Sequence, residues 1–258
     1  MTSSSKALEE TFKPVKSILV SQPKPERSPY FELEDKYDLV IDFRHFIHVE
    51  PVPVKEFRKT RIKPEDFSAV ILTSKNAVDH FFKMCEELRI KMSQDTKYFC
   101  MTEQVANYLQ KFIVYRKRKV FTGKRKIEDL KPALVKHKEK ENFLLPCSNL
   151  GSQAVSKFLT DNGFNWKDAM MYQTVSSDLS DLTEVFYDVL VFFSPLGLKS
   201  LIENFPTFKQ NETRIAVYGK STIAAVEELG LTPNIMAPAP ETPSMTMALE
   251  KYLVTSNK

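Results

Sequence analysis

The sequence predicts an α/β fold with two similar, doubly wound parallel-sheet domains. Two observations carry this prediction. Short apolar runs alternate with segments of helical periodicity along most of the chain, and one strand-turn-helix pattern occurs in both halves. Continuous apolar runs are typical of parallel strands covered on both faces, and their alternation with helices is typical of doubly wound sheets.

The strands and helices follow in order along the chain. The predicted strands are Ser17–Ser21, Leu39–Phe43, Ala69–Thr73, Tyr98–Thr102, Phe143–Ser148, Val189–Ser194 and Ile215–Gly219. The predicted helices are Asn76–Leu88, Glu103–Phe112, Leu150–Asn162, Leu196–Asn204 and Ser221–Leu229, with a final helix capped by Ser244. Apolar residues in these helices recur at helical spacing, so we interpret their stripes as core.

The domain boundaries rest on an internal repeat and two linkers. Segment 66–78 resembles segment 187–198, and a further strand and helix follow each copy. Two extended stretches, 47–52 and 169–177, are predicted linkers; prolines exclude the first from a central strand. The chain would cross between domains twice. We therefore expect a discontinuous first domain, 15–46 with 178–258, and an inserted second domain, 53–168.

Composition narrows the class of protein. The 258 residues are 42% hydrophobic and 27% charged, as in ordinary globular proteins. No apolar run approaches the ~20 residues of a membrane span, and the amino-terminal residues give no expectation of a signal peptide. Glycine-rich nucleotide fingerprints are absent from the sequence. Three widely spaced cysteines, Cys85, Cys100 and Cys147, favour a reducing compartment, so we expect a cytoplasmic protein without a membrane partner.

Charge is concentrated in one segment. The net charge is +4, but Tyr115–Lys140 holds eleven Lys/Arg and three Asp/Glu. This segment is either a solvated loop and helix face or a contact for a polyanion. Nucleic-acid binding is favoured when aromatic residues interleave with basic ones, and only Tyr115 and Phe121 do so. We therefore expect no nucleic-acid partner.

Candidate binding residues lie where the predicted strands end. In open α/β sheets the ligand binds at the carboxyl ends of the strands, where helix N-termini attract anions. Helix capping alone would also place small polar residues there. Five such strand ends, facing one another across two domains, would form a cleft lined with N–H and O–H donors and suited to several carboxylates. These residues are Thr73, Ser74, Lys75, Asn76, Thr102, Ser148, Ser194, Gly219, Lys220, Ser221 and Thr222.

Tyr172 is the candidate catalytic residue. It lies in the second predicted linker, where its phenol could donate a proton to a leaving oxygen or merely cover a hinge. His45 and His48 have metal-ligand spacing but no third ligand nearby, so no metal is expected. Cys147 has no evident histidine partner for nucleophilic catalysis.

Four segments resemble the uroporphyrinogen-III synthase family. They are Ile71–Val78, Met171–Thr174, Val191–Gly197, and Ile215–Thr222 together with Pro240–Met245. Each motif is loose, whereas their order and spacing over nearly the whole chain are fairly specific.

The resemblance implies two α/β domains joined by a two-stranded linker, with the active site in the cleft between them. It implies hydroxymethylbilane, a linear tetrapyrrole with eight carboxylates, as the small-molecule substrate. The ring would close with inversion of the last pyrrole and loss of water, without metal or organic cofactor. The tyrosine matching Tyr172 would assist departure of the hydroxyl. Ser74, Ser194, Ser221 and Thr222 match hydroxyl positions of the family, and Gly197 lies in the third segment. A monomer is expected.

Two departures leave an alternative open. Thr102 stands near a glycine position of the family and Val105 near a threonine position, and Ser21-Gln22-Pro23 replaces a common Thr-Arg-Pro. The alternative is a non-catalytic relative that binds a polycarboxylate or regulates. A nucleic-acid-binding module using Arg116–Lys126 is the third hypothesis.

Overall fold

A computed structural model describes residues 13–257. Residues 1–12, on which the signal-peptide expectation falls, and Lys258, the last residue of the predicted first domain, lie outside the described part. The chain divides into two compact units. The first unit contains the residues up to His48 and those from Val175 onward, and the second unit is Val49–Thr174.

Strands and helices are numbered along the chain. The strands of the described chain are β1 (Ser17–Val20), β2 (Val40–Phe43), β3 (Ile47–Pro51), β4 (Ala69–Leu72), β5 (Lys97–Cys100), β6 (Val120–Thr122), β7 (Phe143–Ser148), β8 (Trp166–Ser176), β9 (Val189–Phe192), β10 (Arg214–Tyr218) and β11 (Pro233–Ala237). The α-helices are α1 (Pro29–Tyr37), α2 (Val54–Lys59), α3 (Lys75–Leu88), α4 (Glu103–Leu109), α5 (Lys131–His137), α6 (Gln153–Asp161), α7 (Pro195–Asn204), α8 (Lys220–Glu228) and α9 (Met245–Ser256).

The sheet of the first unit has the order β11-β10-β9-β1-β2, with all its pairs parallel. Successive residues of β9 face opposite sides of this sheet. Val191 packs with Leu249 of α9, whereas Phe192 packs with Leu201 of α7 and Val226 of α8. Helices therefore cover both faces, which explains why β9 is apolar at every position.

The sheet of the second unit has the order β3-β8-β7-β4-β5-β6. The pairs from β8 to β6 are parallel. On one face Val70 packs with Phe81 of α3, and on the other Ile71 packs with Leu134 of α5 and Leu159 of α6. The prediction of an α/β fold with parallel sheets is confirmed. β3, the proline-bounded strand, lies at the edge of this sheet, as its composition requires.

Two predicted helices have wrong boundaries. The helix predicted over Leu150–Asn162 begins only at Gln153, because Gly151 adopts φ +63°, a left-handed conformation that breaks the helix. The helix predicted to Phe112 ends at Leu109. There the Phe112 N–H donates to the Leu109 carbonyl, so the last residues form a tighter turn.

The sequence patterns did not predict five of the elements: α1, α2, β6, α5 and β11. The basic segment Tyr115–Lys140 accordingly contains the strand β6 and the helix α5. No helix in residues 13–257 combines the length and apolar character needed to cross a membrane.

Candidate functional site

The carboxyl edge of the second unit's sheet collects most of the predicted site residues. Four neighbouring strands, β8, β7, β4 and β5, run parallel and therefore end at the same edge. Tyr172 lies opposite Ser148 across the β8–β7 pair. Ser74 follows β4, and Thr102 follows β5. The parallel topology thus brings together residues up to 98 positions apart in sequence (172 − 74 = 98).

Ser74 holds the beginning of α3. Its backbone is extended (φ −156°, ψ 169°), and its hydroxyl oxygen accepts the Ala77 N–H at 3.1 Å. This is the N-cap geometry that Ser adopts because it satisfies an otherwise unpaired N–H group. Thr73 is half-buried beside it, whereas Lys75 and Asn76 are exposed on the first turn. The edge therefore offers hydroxyl groups, a helix N-terminus and a positive charge to an anion.

Tyr172 is buried, with 8% of its surface exposed, and it contacts two residues of the helix segment that begins at Ser74. Its phenol lies near the Ser74 side chain, which acts on the pKa of the phenol. Its ring stacks on His80, with centroids 4.9 Å apart and planes 15° from parallel. Burial raises the pKa of the phenol, the Ser74 side chain opposes that shift, and Cys147 adds to it. Tyr172 therefore stays protonated at neutral pH and can act as a hydrogen-bond or proton donor.

His80 is a residue of this site that sequence reasoning missed. Burial lowers the pKa of its imidazole, with smaller effects from Asp79, which raises it, and Lys83, which lowers it, so the ring is neutral at pH 7. Its Nδ1 atom is buried, and no hydrogen-bond partner for it exists among residues 13–257. The available sequence signal is its place on the helix that begins after Ser74, but nothing local shows that Tyr172 would stack on it.

Two neighbouring loops complete this edge. Thr102 caps α4, with its hydroxyl oxygen accepting the Val105 N–H at 3.3 Å. Ser148 is half-buried, and its hydroxyl oxygen accepts the Leu150 N–H at 3.2 Å. The Asn149 amide accepts the backbone N–H of Thr174 at 2.9 Å and donates to its carbonyl at 3.1 Å. The loop after β7 is therefore attached to β8 two residues beyond Tyr172.

The first unit has a similar carboxyl edge of its own. Ser194 follows β9 and caps α7, accepting the Gly197 N–H at 3.3 Å. Gly197 is buried, and a Cβ there would lie 3.6 Å from the Ser21 hydroxyl and 3.5 Å from the Phe192 ring, an ordinary packing distance. Ser194 and Gly219 stand at the ends of adjacent parallel strands, β9 and β10.

The beginning of α8 lacks a side-chain cap. Gly219 occupies the N-cap position with φ +88°, a conformation that favours glycine. Its carbonyl accepts the N–H groups of Thr222 and Ile223 at 3.1 Å. Lys220 and Ser221 are exposed, whereas Thr222 is 1% exposed and its hydroxyl has no hydrogen-bond partner within the described chain. Thr222 thus faces the interior of its unit, unlike the other residues predicted here.

The geometry gives little support to two alternatives considered from the sequence, metal binding near His48 and nucleic-acid binding by the basic segment. His48 is hydrogen-bonded to Ser177 at 3.0 Å, and residues 13–257 contain no group of three or more His, Cys, Asp or Glu placed to hold a metal ion. Phe121, one of the two aromatic residues in the basic segment, stacks on Phe99 at 4.8 Å. Its ring is therefore occupied by packing and does not present a free face to a nucleobase.

The sequence as a whole matches one known protein family. The family model described as "Uroporphyrinogen-III synthase HemD" matches residues 40–247, a span that contains every predicted site residue. The chain belongs to this family. The resemblance drawn from the four sequence segments is confirmed.

Individual relatives agree with the family assignment. The chain is 23% identical over 255 residues to the uroporphyrinogen-III synthase of Chlorobaculum parvum, covering 93% of this chain and 100% of the relative. It resembles the crystal structure of uroporphyrinogen-III synthetase from Helicobacter pylori, with a TM-score of 0.57, 21% identity and coverage of 93% and 99%. It also resembles the crystal structure of a mutant uroporphyrinogen III synthase from Thermus thermophilus, with a TM-score of 0.52 and 14% identity. That match covers 93% of this chain and 99% of the other. These structures share the fold of this family member.

Proposed function

We propose that the chain is a uroporphyrinogen-III synthase, a lyase that cyclises hydroxymethylbilane with inversion of the last pyrrole ring and loss of water. Family membership supports the reaction, and the arrangement around Tyr172 is the structural observation that carries it. A protonated, buried phenol stands at the carboxyl edge of a parallel sheet, next to helix N-termini and hydroxyl groups. This is where α/β proteins bind anionic ligands.

Tyr172 is the proposed catalytic residue. Its phenol donates a hydrogen bond, and then a proton, to the hydroxyl group that leaves the substrate as water. Burial and the stack on His80 restrain the phenol ring in one orientation. Because the neutral His80 ring adds no charge, the phenol keeps its proton until a substrate oxygen takes it. The residue therefore combines orientation with proton donation.

The remaining work of the enzyme is binding and geometry. Hydroxymethylbilane can lose water and cyclise unaided to the uninverted ring, so the protein must bias attack toward the substituted carbon of the last pyrrole, through a spiro intermediate. Positioning by several weak contacts provides this selectivity. The proposed binding residues of the second unit are Thr73, Ser74, Lys75, Asn76, Thr102 and Ser148. Those of the first unit are Ser194, Gly197, Gly219, Lys220, Ser221 and Thr222.

A single assay tests the proposal. Purified protein is supplied with freshly made hydroxymethylbilane, and the oxidised porphyrin products are separated by isomer. We expect mainly type III product. Only type I product, at the rate measured without protein, would contradict the synthase assignment and favour a non-catalytic relative. The buried Val105, at a position where the family often has threonine, is the observation behind that alternative.

Organisation and location complete the proposal. We propose domains at 15–46 with 178–258 and at 53–168, with linkers 47–52 and 169–177. In support, the boundaries between the two compact units along the sequence fall between His48 and Val49 and between Thr174 and Val175, which is inside the two predicted linkers. Cys85, Cys100 and Cys147 are free and buried, which suits a reducing cytoplasm. We further propose a monomer that binds a small-molecule substrate, without a cofactor and without nucleic acid.

A further inference from the structure

The second unit contains a large cavity that Tyr172 does not line. Its volume is about 650 Å³, inside the range of roughly 300–1,000 Å³ that is usual for small-molecule sites. Tyr98 and Val120, at the amino-terminal ends of β5 and β6, line it. Thr102 and the other site residues of this unit lie at the carboxyl ends of the same sheet's strands. The cavity therefore lies at the amino-terminal ends of the strands, and the candidate active site lies at the carboxyl ends of strands in the same sheet.

The cavity is apolar inside. Its walls come from the carboxyl-terminal half of α3, from the chain before β5 and from the segment after α4. The apolar side chains that line it include Phe82, Ile90, Met92, Tyr98, Phe112 and Ile113. Apolar walls of this extent favour the apolar body of a ligand, because burying that body removes it from water.

Exposed apolar side chains flank the cavity. Val114 is 81% exposed and Phe112 is 39% exposed, and both line it. Tyr115, 37% exposed, follows directly. Phe112 and Val114 thus extend the apolar lining of the cavity to the protein surface.

The charges around the cavity are mainly positive. Arg89, Lys91, Arg116 and Lys119 line it, against the single carboxylate of Glu86. Lys119 is paired with Asp95 at 2.6 Å. Within the described chain, no side-chain hydrogen bond or ion pair engages Arg89 or Lys91, and both are exposed, so their charges are available to a ligand. The cavity therefore complements a molecule with an apolar body and an anionic end.

We propose that this cavity is a second ligand site, for an amphipathic carboxylate with an unbranched or aromatic apolar body. The apolar body lies among Phe82, Ile90 and Phe112, and the carboxylate lies at the opening beside Arg89 and Lys91. This site is independent of the proposed synthase reaction. A small molecule is favoured over a protein partner because the apolar surface forms a recess of bounded volume instead of a flat face.

Dodecanoate, used below its micelle concentration, is the probe. We expect saturable one-to-one binding by calorimetry, a rise in melting temperature, and weaker binding at high salt. Dodecanol, which has the same chain without the charge, should bind at least several-fold more weakly. No saturable dodecanoate binding, or equal affinities for dodecanoate and dodecanol, would overturn the proposal.

Two matched pairs of variants locate the site. Arg89→Asn removes a charge at the opening, and Arg61→Asn is its control, because both arginines have left-handed backbones (φ 60° and 58°) that Asn tolerates. Val114→Asp places a negative charge on the exposed apolar lining of the cavity. Its control is Val135→Asp, which changes another exposed valine of the same unit, outside the cavity.

The first member of each pair should weaken dodecanoate binding by roughly fivefold or more, the effect of losing a partly exposed charge contact or adding a repelling charge. The controls should leave the affinity within about twofold. Equal weakening by control and test variants would place the ligand elsewhere and refute the assignment. All four positions are substantially exposed or at a helix end, and circular dichroism verifies that each variant folds.

Discussion

Tyr172→Phe is the substitution that tests the mechanism most directly. It removes one oxygen atom and keeps the ring that stacks on His80. The folded state loses the interaction of the phenol oxygen with the Ser74 side chain, which costs about 1 kcal/mol. Ser74 still accepts the Ala77 N–H, so α3 keeps its cap. For a domain of this size that loss lowers the melting temperature by roughly 4 °C, so the variant remains folded at the assay temperature.

The effect on turnover should be larger than the effect on stability. The variant has no proton to donate to the leaving hydroxyl, and positioned proton donors contribute about 100-fold or more. Because the substrate loses water unaided, we expect a decrease of at least several-fold in the initial rate of type III product. The type I fraction should rise in parallel, since unassisted cyclisation then competes. Isomer separation at short reaction times measures both quantities.

A matched control separates mechanism from stability. Tyr187→Phe removes a phenol that donates to Asp42 at 2.9 Å, in the first unit and at a position that is not among the proposed site residues. It should reduce stability by a similar amount and leave turnover unchanged. A folded Tyr172→Phe protein with wild-type turnover would remove Tyr172 from the mechanism and refute the reasoning.

The pKa of Tyr172 adds a pH test. Burial raises the pKa of the phenol above its ordinary value of 10.0, so the donor form is complete well below that value and is lost only as the pH rises through the raised pKa. The ratio of wild-type to Tyr172→Phe turnover should therefore stay constant from about pH 6 to 9. A ratio that falls steeply within that interval would mean that the phenol loses its proton there, which would contradict a raised pKa for Tyr172.

Three further outcomes follow from individual contacts. Ser74→Ala should cost about 1 kcal/mol through the lost α3 cap and also reduce turnover, whereas Ser28→Ala, which uncaps α1, should lower the melting temperature alone. Lys97→Met should lower the free energy of unfolding by about 2 kcal/mol in urea titrations, because it leaves the buried Glu141 carboxylate without its cation; Lys59→Met, at an exposed pair, should change it by less than ~0.5 kcal/mol. Although burial alone would raise the pKa of Glu141, hydrogen bonds from Lys97 and Ser68 hold that pKa below its usual value. The stabilisation by the Lys97–Glu141 pair should therefore disappear as the pH falls below about 4.5. A free energy of unfolding that does not change with pH in that range would contradict this prediction.

The strands and helices that sequence patterns predict well are those with strong local signals. β9 is predictable as a strand because its four residues are all apolar, and the structure buries all four. α3 is predictable as a helix because its apolar residues recur at helical spacing, and the structure packs them into the core. The missed β6 is three residues long and lies inside the basic segment. It is a strand because it pairs with β5, a contact that no local pattern encodes. Likewise, α1 buries only Tyr30 and Leu33, too few for a visible periodicity.

The residues of the candidate site likewise differ in how far the sequence alone predicts them. Ser74, Thr102 and Ser194 are predictable because a small polar residue between a strand and a helix is the local signature of an N-cap. Their grouping at one edge of each sheet follows from parallel topology. His80 is different, because its role depends on the stack with Tyr172, ninety-two positions away in the sequence (172 − 80 = 92).

The sequence by itself determined the α/β class, the family and the polar residues at the strand ends, since apolar periodicity, helix capping and motif order are all local properties of the chain. Tertiary structure alone decided that Tyr172 is buried against Ser74 and His80, that Thr222 faces the interior, and that a cavity opens at the amino-terminal ends of β5 and β6. The physical reason is that burial, stacking and pKa shifts depend on which distant segments pack together, and packing is a property of the whole folded unit.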